Sequence, residues 1–137
     1  GLAGLRVGYG VADATLINYL NRCRHPFNLN ALAQAGALVA LDDDAHLKRT
    51  TELNSRERRR LREAFESRQL EVIPSQANFL LVGVKRPGQE VFSQLLKRGV
   101  IVRPMAGYGY AQYLRISIGT EAQNNTMLEA LDEVLGL

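Results

Sequence analysis

The chain has 137 residues, 46% of them hydrophobic, and a net charge of +3, which suits one globular core or a small domain with an attached arm. No apolar run approaches the roughly 18 residues of a membrane span, and without a basic start and an apolar stretch behind it no secretory leader is expected. A single cysteine, Cys23, excludes an internal disulfide, so a cytoplasmic protein is expected.

Along the chain, Leu5 to Tyr9 reads as a short buried strand in which Arg6 is the lone charge. Burying an unpaired cation is costly, so that position calls for an anion. Ala12 to Arg24 reads as a helix whose apolar stripe is Leu16, Ile17 and Leu20, stopped by His25-Pro26 because a residue before proline resists helical geometry. Asn28 or Asn30 then caps a second helix through Leu41. That helix is apolar on nearly every face and is expected to be buried against something large.

Asp42-Asp43-Asp44 marks the start of a long helix to about Arg68, with Leu47, Leu61, Ala64 and Phe65 on its inner face. Its Arg56 to Arg62 run lacks interleaved aromatics and is broken by Glu57 and Glu63, which favours a solvated face over nucleic-acid contact. Leu70 to Ile73 and Asn78 to Val84 read as strands, and Gln89 to Arg98 as an amphipathic helix ended by Gly99. Val100 to Val102 follows as a strand, then a glycine-rich loop from Pro104 to Tyr110, a strand over Tyr113 to Ile118 and a helix over Glu121 to Leu135. The expected fold class is α/β: a small α+β domain over residues 42–137, its sheet covered by helices, preceded by a strand and helices of a larger domain over 1–41.

Only three lysines accompany fourteen arginines. Arginine's planar fork suits phosphate and carboxylate, although a high-GC genome gives the same bias. Arg103 and Arg115 each fall within a β-type apolar stretch, Arg115 between Leu114 and Ile116. Each reads either as a member of a cross-strand ion pair or as a rigid grip on an anion. Arg6 reads either as a routine surface ion pair at a strand end or as a grip on the phosphate of a cofactor lying at the carboxyl end of a strand. Asn78 either satisfies neighbouring backbone or contacts a ligand, and Tyr108 either packs its loop or lines a substrate entrance. His25 and His46 receive no role, and no ligand pair stands at a metal-binding spacing.

The opening Gly-Leu-Ala-Gly-Leu-Arg, the Pro26 to Gln34 segment, Pro-Ser-Gln-Ala-Asn-Phe, Gly-Val-Ile-Val-Arg-Pro and Leu-Arg-Ile-Ser-Ile-Gly-Thr occur in order along the whole chain. This series resembles fold-type-I pyridoxal-phosphate aminotransferases of the histidinol-phosphate type. In that family Ser-Lys-x-x precedes the first motif, so the resemblance implies that the Schiff-base lysine lies upstream of Gly1 and that residues 1–137 are a C-terminal part with no catalytic residue of their own. It implies pyridoxal 5'-phosphate as cofactor, with Arg6 on its phosphate. It also implies Arg115 on the acidic end of the substrate, assisted by Arg103, with Asn78 and Tyr108 close by.

The implied substrates are histidinol phosphate and the glutamate/2-oxoglutarate pair, handled by a homodimer with no nucleic-acid or membrane partner. A related enzyme such as threonine-phosphate decarboxylase, or a non-catalytic module binding a small ligand, are the alternatives.

Overall fold

A computed structural model describes all residues 1–137, which divide into two compact units, Gly1–Lys48 and Arg49–Leu137. The first unit opens with a 3₁₀ turn over Ala3–Leu5, closed by Arg6 in a left-handed conformation at φ 59°. The expected strand over Leu5 to Tyr9 does not form, and Arg6 is exposed rather than buried. A strand needs a neighbour for its backbone groups, and residues 1–48 contain no other strand.

Helix α1 (Ala14–Cys23) is capped by Asp13, whose side chain accepts the Thr15 N–H at 2.8 Å. Asn30, not Asn28, caps α2 (Ala31–Leu41), accepting the Ala33 N–H at 2.8 Å and donating to the Leu5 carbonyl at 3.3 Å. Residues 1–137 supply little of the cover expected for α2. Ala33 alone is fully enclosed, while Leu32, Leu38, Val39 and Leu41 are exposed, because this unit is too small to surround an all-apolar helix. Of the three aspartates, Asp43 accepts the His46 N–H at 2.9 Å at the start of α3 (Asp44–Ser67), a helix that continues into the second unit. Leu47, expected inside, is exposed.

The second unit carries a four-stranded antiparallel sheet in the order β1-β2-β4-β3, formed by β1 (Glu71–Ile73), β2 (Phe79–Gly83), β3 (Arg103–Met105) and β4 (Tyr110–Ser117). Leu80, Val82, Leu114 and Ile116 point to one face. There they pack with Leu61 and Phe65 of α3, with Val91 and Leu95 of α4 (Gly88–Leu96), and with Leu128 and Leu131 of α5 (Glu121–Leu135). Helix α5 has the limits its sequence predicts, set by a Thr120–Gln123 capping box and by Gly136 at φ 73°.

The strand expected at Val100 to Val102 lies three residues later. The Val100 N–H is already bonded to the Leu95 carbonyl at 3.0 Å, closing the end of α4 over Gly99 at φ 78°. The strand therefore starts at Arg103, and Pro104 is tolerated because β3 is an edge. The register breaks between Pro104 and Met105. The glycine-rich segment is a 3₁₀ turn over Ala106–Tyr108 followed by Gly109 at φ 84°, so β4 begins at Tyr110, earlier than expected.

Two outcomes check this architecture. A β-carbon on Gly88 stands 2.8 Å from the Tyr113 carbonyl oxygen, a backbone atom that cannot swing aside. Gly88→Ala is expected to lower unfolding free energy by about 1–3 kcal/mol in urea titrations. Arg68 makes a two-pronged bond to Asp132, Nε to Oδ1 at 2.5 Å and Nη2 to Oδ2 at 2.7 Å, which holds the Asp132 carboxyl below its usual 3.8. A depressed carboxylate stabilises above its unfolded pKa and loses that contribution as pH falls through the folded one. The urea midpoint is expected to drop between about pH 5 and about pH 3, and to drop less in Asp132→Asn.

Candidate functional site

The sheet face opposite the helices is built by the other half of the strand alternation. Register places Ile73, Leu81, Arg115 and Arg103 in one row across the four strands. Arg115 is half-buried, with its guanidinium carbon 5.2 Å from the centre of the Phe79 ring. Arg103 is exposed and directly opposite it. Neither forms an ion pair with a carboxylate. The cross-strand ion-pair reading therefore fails for both. Like charges directly opposite destabilise a sheet by roughly 0.2–1 kcal/mol, a cost that a bound anion reverses.

Beside this row Tyr113 donates its hydroxyl to Glu71 at 2.6 Å, which raises the phenol's pKa. Gly83 faces Tyr113 across the strands, where a β-carbon would come within 3.3 Å of the ring.

Asn78 is exposed and precedes β2 rather than belonging to it, correcting the reading of a buried strand asparagine. Its carbonyl accepts the Ile118 N–H at 2.9 Å, so it borders the strand pair that carries Phe79 and Arg115. Tyr108 is exposed in the turn joining β3 to β4. Arg6 belongs to the first unit, where its Nη1 donates to the Ala3 carbonyl at 3.0 Å. The structure thus brings Arg103 and Arg115 together, with Asn78 and Tyr108 at the margins of their strands.

Two arginine forks on a rigid sheet, one half-buried and one exposed, each free of a carboxylate, match the demands of a phosphate or carboxylate ligand. The sequence model of the family described as aminotransferase class I and II matches residues 1–131. The chain belongs to that family. It is 51% identical over 135 residues to a histidinol-phosphate aminotransferase of Moorella thermoacetica, covering 98% of this chain and 35% of that protein.

Among solved structures it resembles the histidinol-phosphate aminotransferase of Sinorhizobium meliloti in complex with pyridoxal-5'-phosphate, with TM-score 0.85 and 26% identity over 99% of this chain and 38% of that one. It also resembles a decarboxylase from Sulfurospirillum multivorans, with TM-score 0.78 and 30% identity over 98% of this chain and 40% of that one. The chain spans little more than a third of the length of the curated relatives it matches.

Class I and II aminotransferases depend on pyridoxal phosphate. Of the groups that cofactor needs, this aminotransferase chain fits the phosphate end. Arg6 spends one nitrogen on Ala3 and its side chain is otherwise open to an anion. Lys48, Lys85 and Lys97 follow Leu47, Val84 and Leu96, so none stands in the Ser-Lys setting of the family's reactive lysine.

One polar cluster escaped the sequence reading. Glu57, assigned there to a solvated face, is 1% exposed. Its Oε2 accepts from Arg60 at 2.8 and 3.0 Å and from the Asn124 amide at 2.8 Å, and Asn124 is 2% exposed. Hydrogen bonding to Arg60 holds the Glu57 carboxyl below its usual 4.5 against the opposing effect of burial, with help from Asn124. Spacing was the available signal, because positions 57, 61 and 65 fall on one helical stripe.

If the opposed arginines repel, Arg103→Gln stabilises the fold by roughly 0.2–1 kcal/mol at low ionic strength. Denaturation midpoints at low and high salt check this, with the gain shrinking as salt screens the pair.

Proposed function

We propose that this chain is part of a pyridoxal-phosphate-dependent histidinol-phosphate aminotransferase, which exchanges the amino group between L-histidinol phosphate and 2-oxoglutarate to give imidazole acetol phosphate and glutamate. The observation that carries the reading is the register pairing of Arg103 with Arg115, two cations without carboxylate partners on an open sheet face. A transaminase must accept two amino donors in turn at one site. One of these ends in a phosphate and the other in a carboxylate, and a guanidinium fork pairs with either.

In this reading Arg115, steadied by Phe79, is the fixed contact to the acidic end of both substrates. Arg103 adds the second positive charge that a doubly charged phosphate rewards. Asn78 and Tyr108 contact or border the bound substrate. Arg6 holds the cofactor phosphate. When bound, the cofactor supplies the electron sink for breaking the bond at the substrate's amino carbon, and the protein supplies orientation and charge.

Residues 1–41 belong to the large cofactor-binding domain and residues 42–137 to the small domain. The assembly is a homodimer, a reading that rests on the likeness of the chain to class I and II aminotransferases. The compartment is the cytoplasm, in keeping with the free, exposed Cys23. No helix is long and apolar enough to cross a membrane.

The test is product analysis with the full-length protein. L-histidinol phosphate plus 2-oxoglutarate is expected to yield glutamate, and Arg115→Gln is expected to cut kcat/KM by on the order of 10- to 100-fold, the loss of one charge-assisted bond. A second reading, a decarboxylase of a phosphorylated amino acid, is favoured by the likeness to the Sulfurospirillum multivorans enzyme. Carbon dioxide release from threonine phosphate, without glutamate formation, would replace the first reading by the second.

A further inference from the structure

The buried carboxylate of Glu57 lies on the helix side of the sheet, away from the arginine row, yet through Asn124 it reaches the turn after the strand carrying Arg115, while its neighbour Arg58 reaches the turn before Phe79. Asn124 clasps both backbone groups of Gly119. Its Oδ1 accepts the Gly119 N–H at 3.0 Å, and its Nδ2 donates to the Gly119 carbonyl at 3.1 Å. The Gly119 N–H can only donate and its carbonyl can only accept, so this clasp sets which way round the amide lies. The 2.8 Å bond from Asn124 Nδ2 to Glu57 Oε2, an ionised acceptor, enforces the same orientation and ties the clasp to α3.

A β-carbon at Gly119 would come within 2.7 Å of Gln123 Oε1 and 3.4 Å of Asn124 Oδ1, so a side chain there would displace the Gln123 amide. This turn sits two residues beyond the end of β4, whose residue 115 is the arginine in question.

One helical turn around Glu57 also holds the other end. Arg58 Nη1 donates to the Gln76 and Ala77 carbonyls at 3.1 and 3.2 Å, and its Nη2 donates to Gln76 Oε1 at 3.0 Å. That turn leads into Phe79, the ring beneath Arg115. The two held turns are joined by the bond from the Ile118 N–H to the Asn78 carbonyl. Burying a carboxylate is costly unless it is paired and hydrogen-bonded, and Glu57 is both.

We propose that Glu57, through Asn124 and together with Arg58, is a positioning residue that sets the Arg115 guanidinium for its anion by clamping the Gly119 and Gln76-Ala77 turns to α3. The proposal rests on the anion-binding reading of Arg115. Rigid support of this kind matters because small misplacements of a binding group are expensive. In the uncharged Glu57→Gln variant the charge-assisted bond that ties Asn124 to α3 is lost, and the hold on the Gly119 turn loosens.

The test uses the full-length, cofactor-loaded protein with inorganic phosphate as probe. Hydrogen–deuterium exchange of the peptide over residues 116–120 is the second readout. Glu57→Gln is expected to raise the phosphate Kd about 3- to 10-fold and to speed exchange in that peptide. Val91→Ala, a core change on α4 far from the clamp in sequence, serves as the destabilised control and is expected to leave the phosphate Kd as in the wild type.

Arg58→Lys keeps the charge, loses the fork, and carries the same test if Glu57→Gln does not fold. An unchanged Kd and unchanged exchange in these variants overturn the proposal, as does an equal Kd rise in Val91→Ala. If the wild type and Arg115→Gln respond identically to phosphate, the anion-binding reading is what fails, and the exchange readout then decides whether Glu57 holds the turn.

Discussion

A strand hydrogen-bonded on both sides has no freedom to rotate, so its side chains must alternate between the two faces of the sheet. β4 is in that position, flanked by β2 and β3. Once Leu114 and Ile116 are committed to the core, Arg115 has one direction left, and the pairing with β3 puts Arg103 beside it. The site is thus a by-product of core formation. The apolar residues decide the register, and the register decides which cations meet.

Glu57 shows the other way in which a charge becomes fixed. Its burial is compensated by Arg60 and Asn124, so the carboxylate stays ionised inside the packing layer between α3 and α5. A polar network of this kind specifies how two elements meet more sharply than apolar contact alone, since its members tolerate few alternative arrangements. The sheet therefore has a close-packed apolar interior and, at one end, a polar latch with defined donors and acceptors.

How much of this was legible depended on how local the deciding signal was. Helix α5 was legible to the residue because Thr120 and Gly136 are punctuation within the segment itself. Arg103 and Arg115 could be singled out as charges in apolar stretches, but their opposition is a fact of register, which couples residues twelve apart in sequence to a hairpin turn that had read as loop. The β3 start was misplaced because the end of α4 had already taken the Val100 N–H. Leu5 to Tyr9 has strand composition, but composition supplies no partner strand. The place of Glu57 on the stripe with Leu61 and Phe65 hinted at burial, but the partner that makes a buried carboxylate tolerable, Asn124, is 67 positions away.

The two outer strands have a consequence for how copies of this protein can associate. β1 and β3 are three residues long, Pro74 follows the first at once, and Pro104 with its register break interrupts the second. Such edges offer too few aligned donors and acceptors to recruit an extended chain. Templated growth of the sheet, the usual route from a small antiparallel domain to fibrils, is closed at both margins.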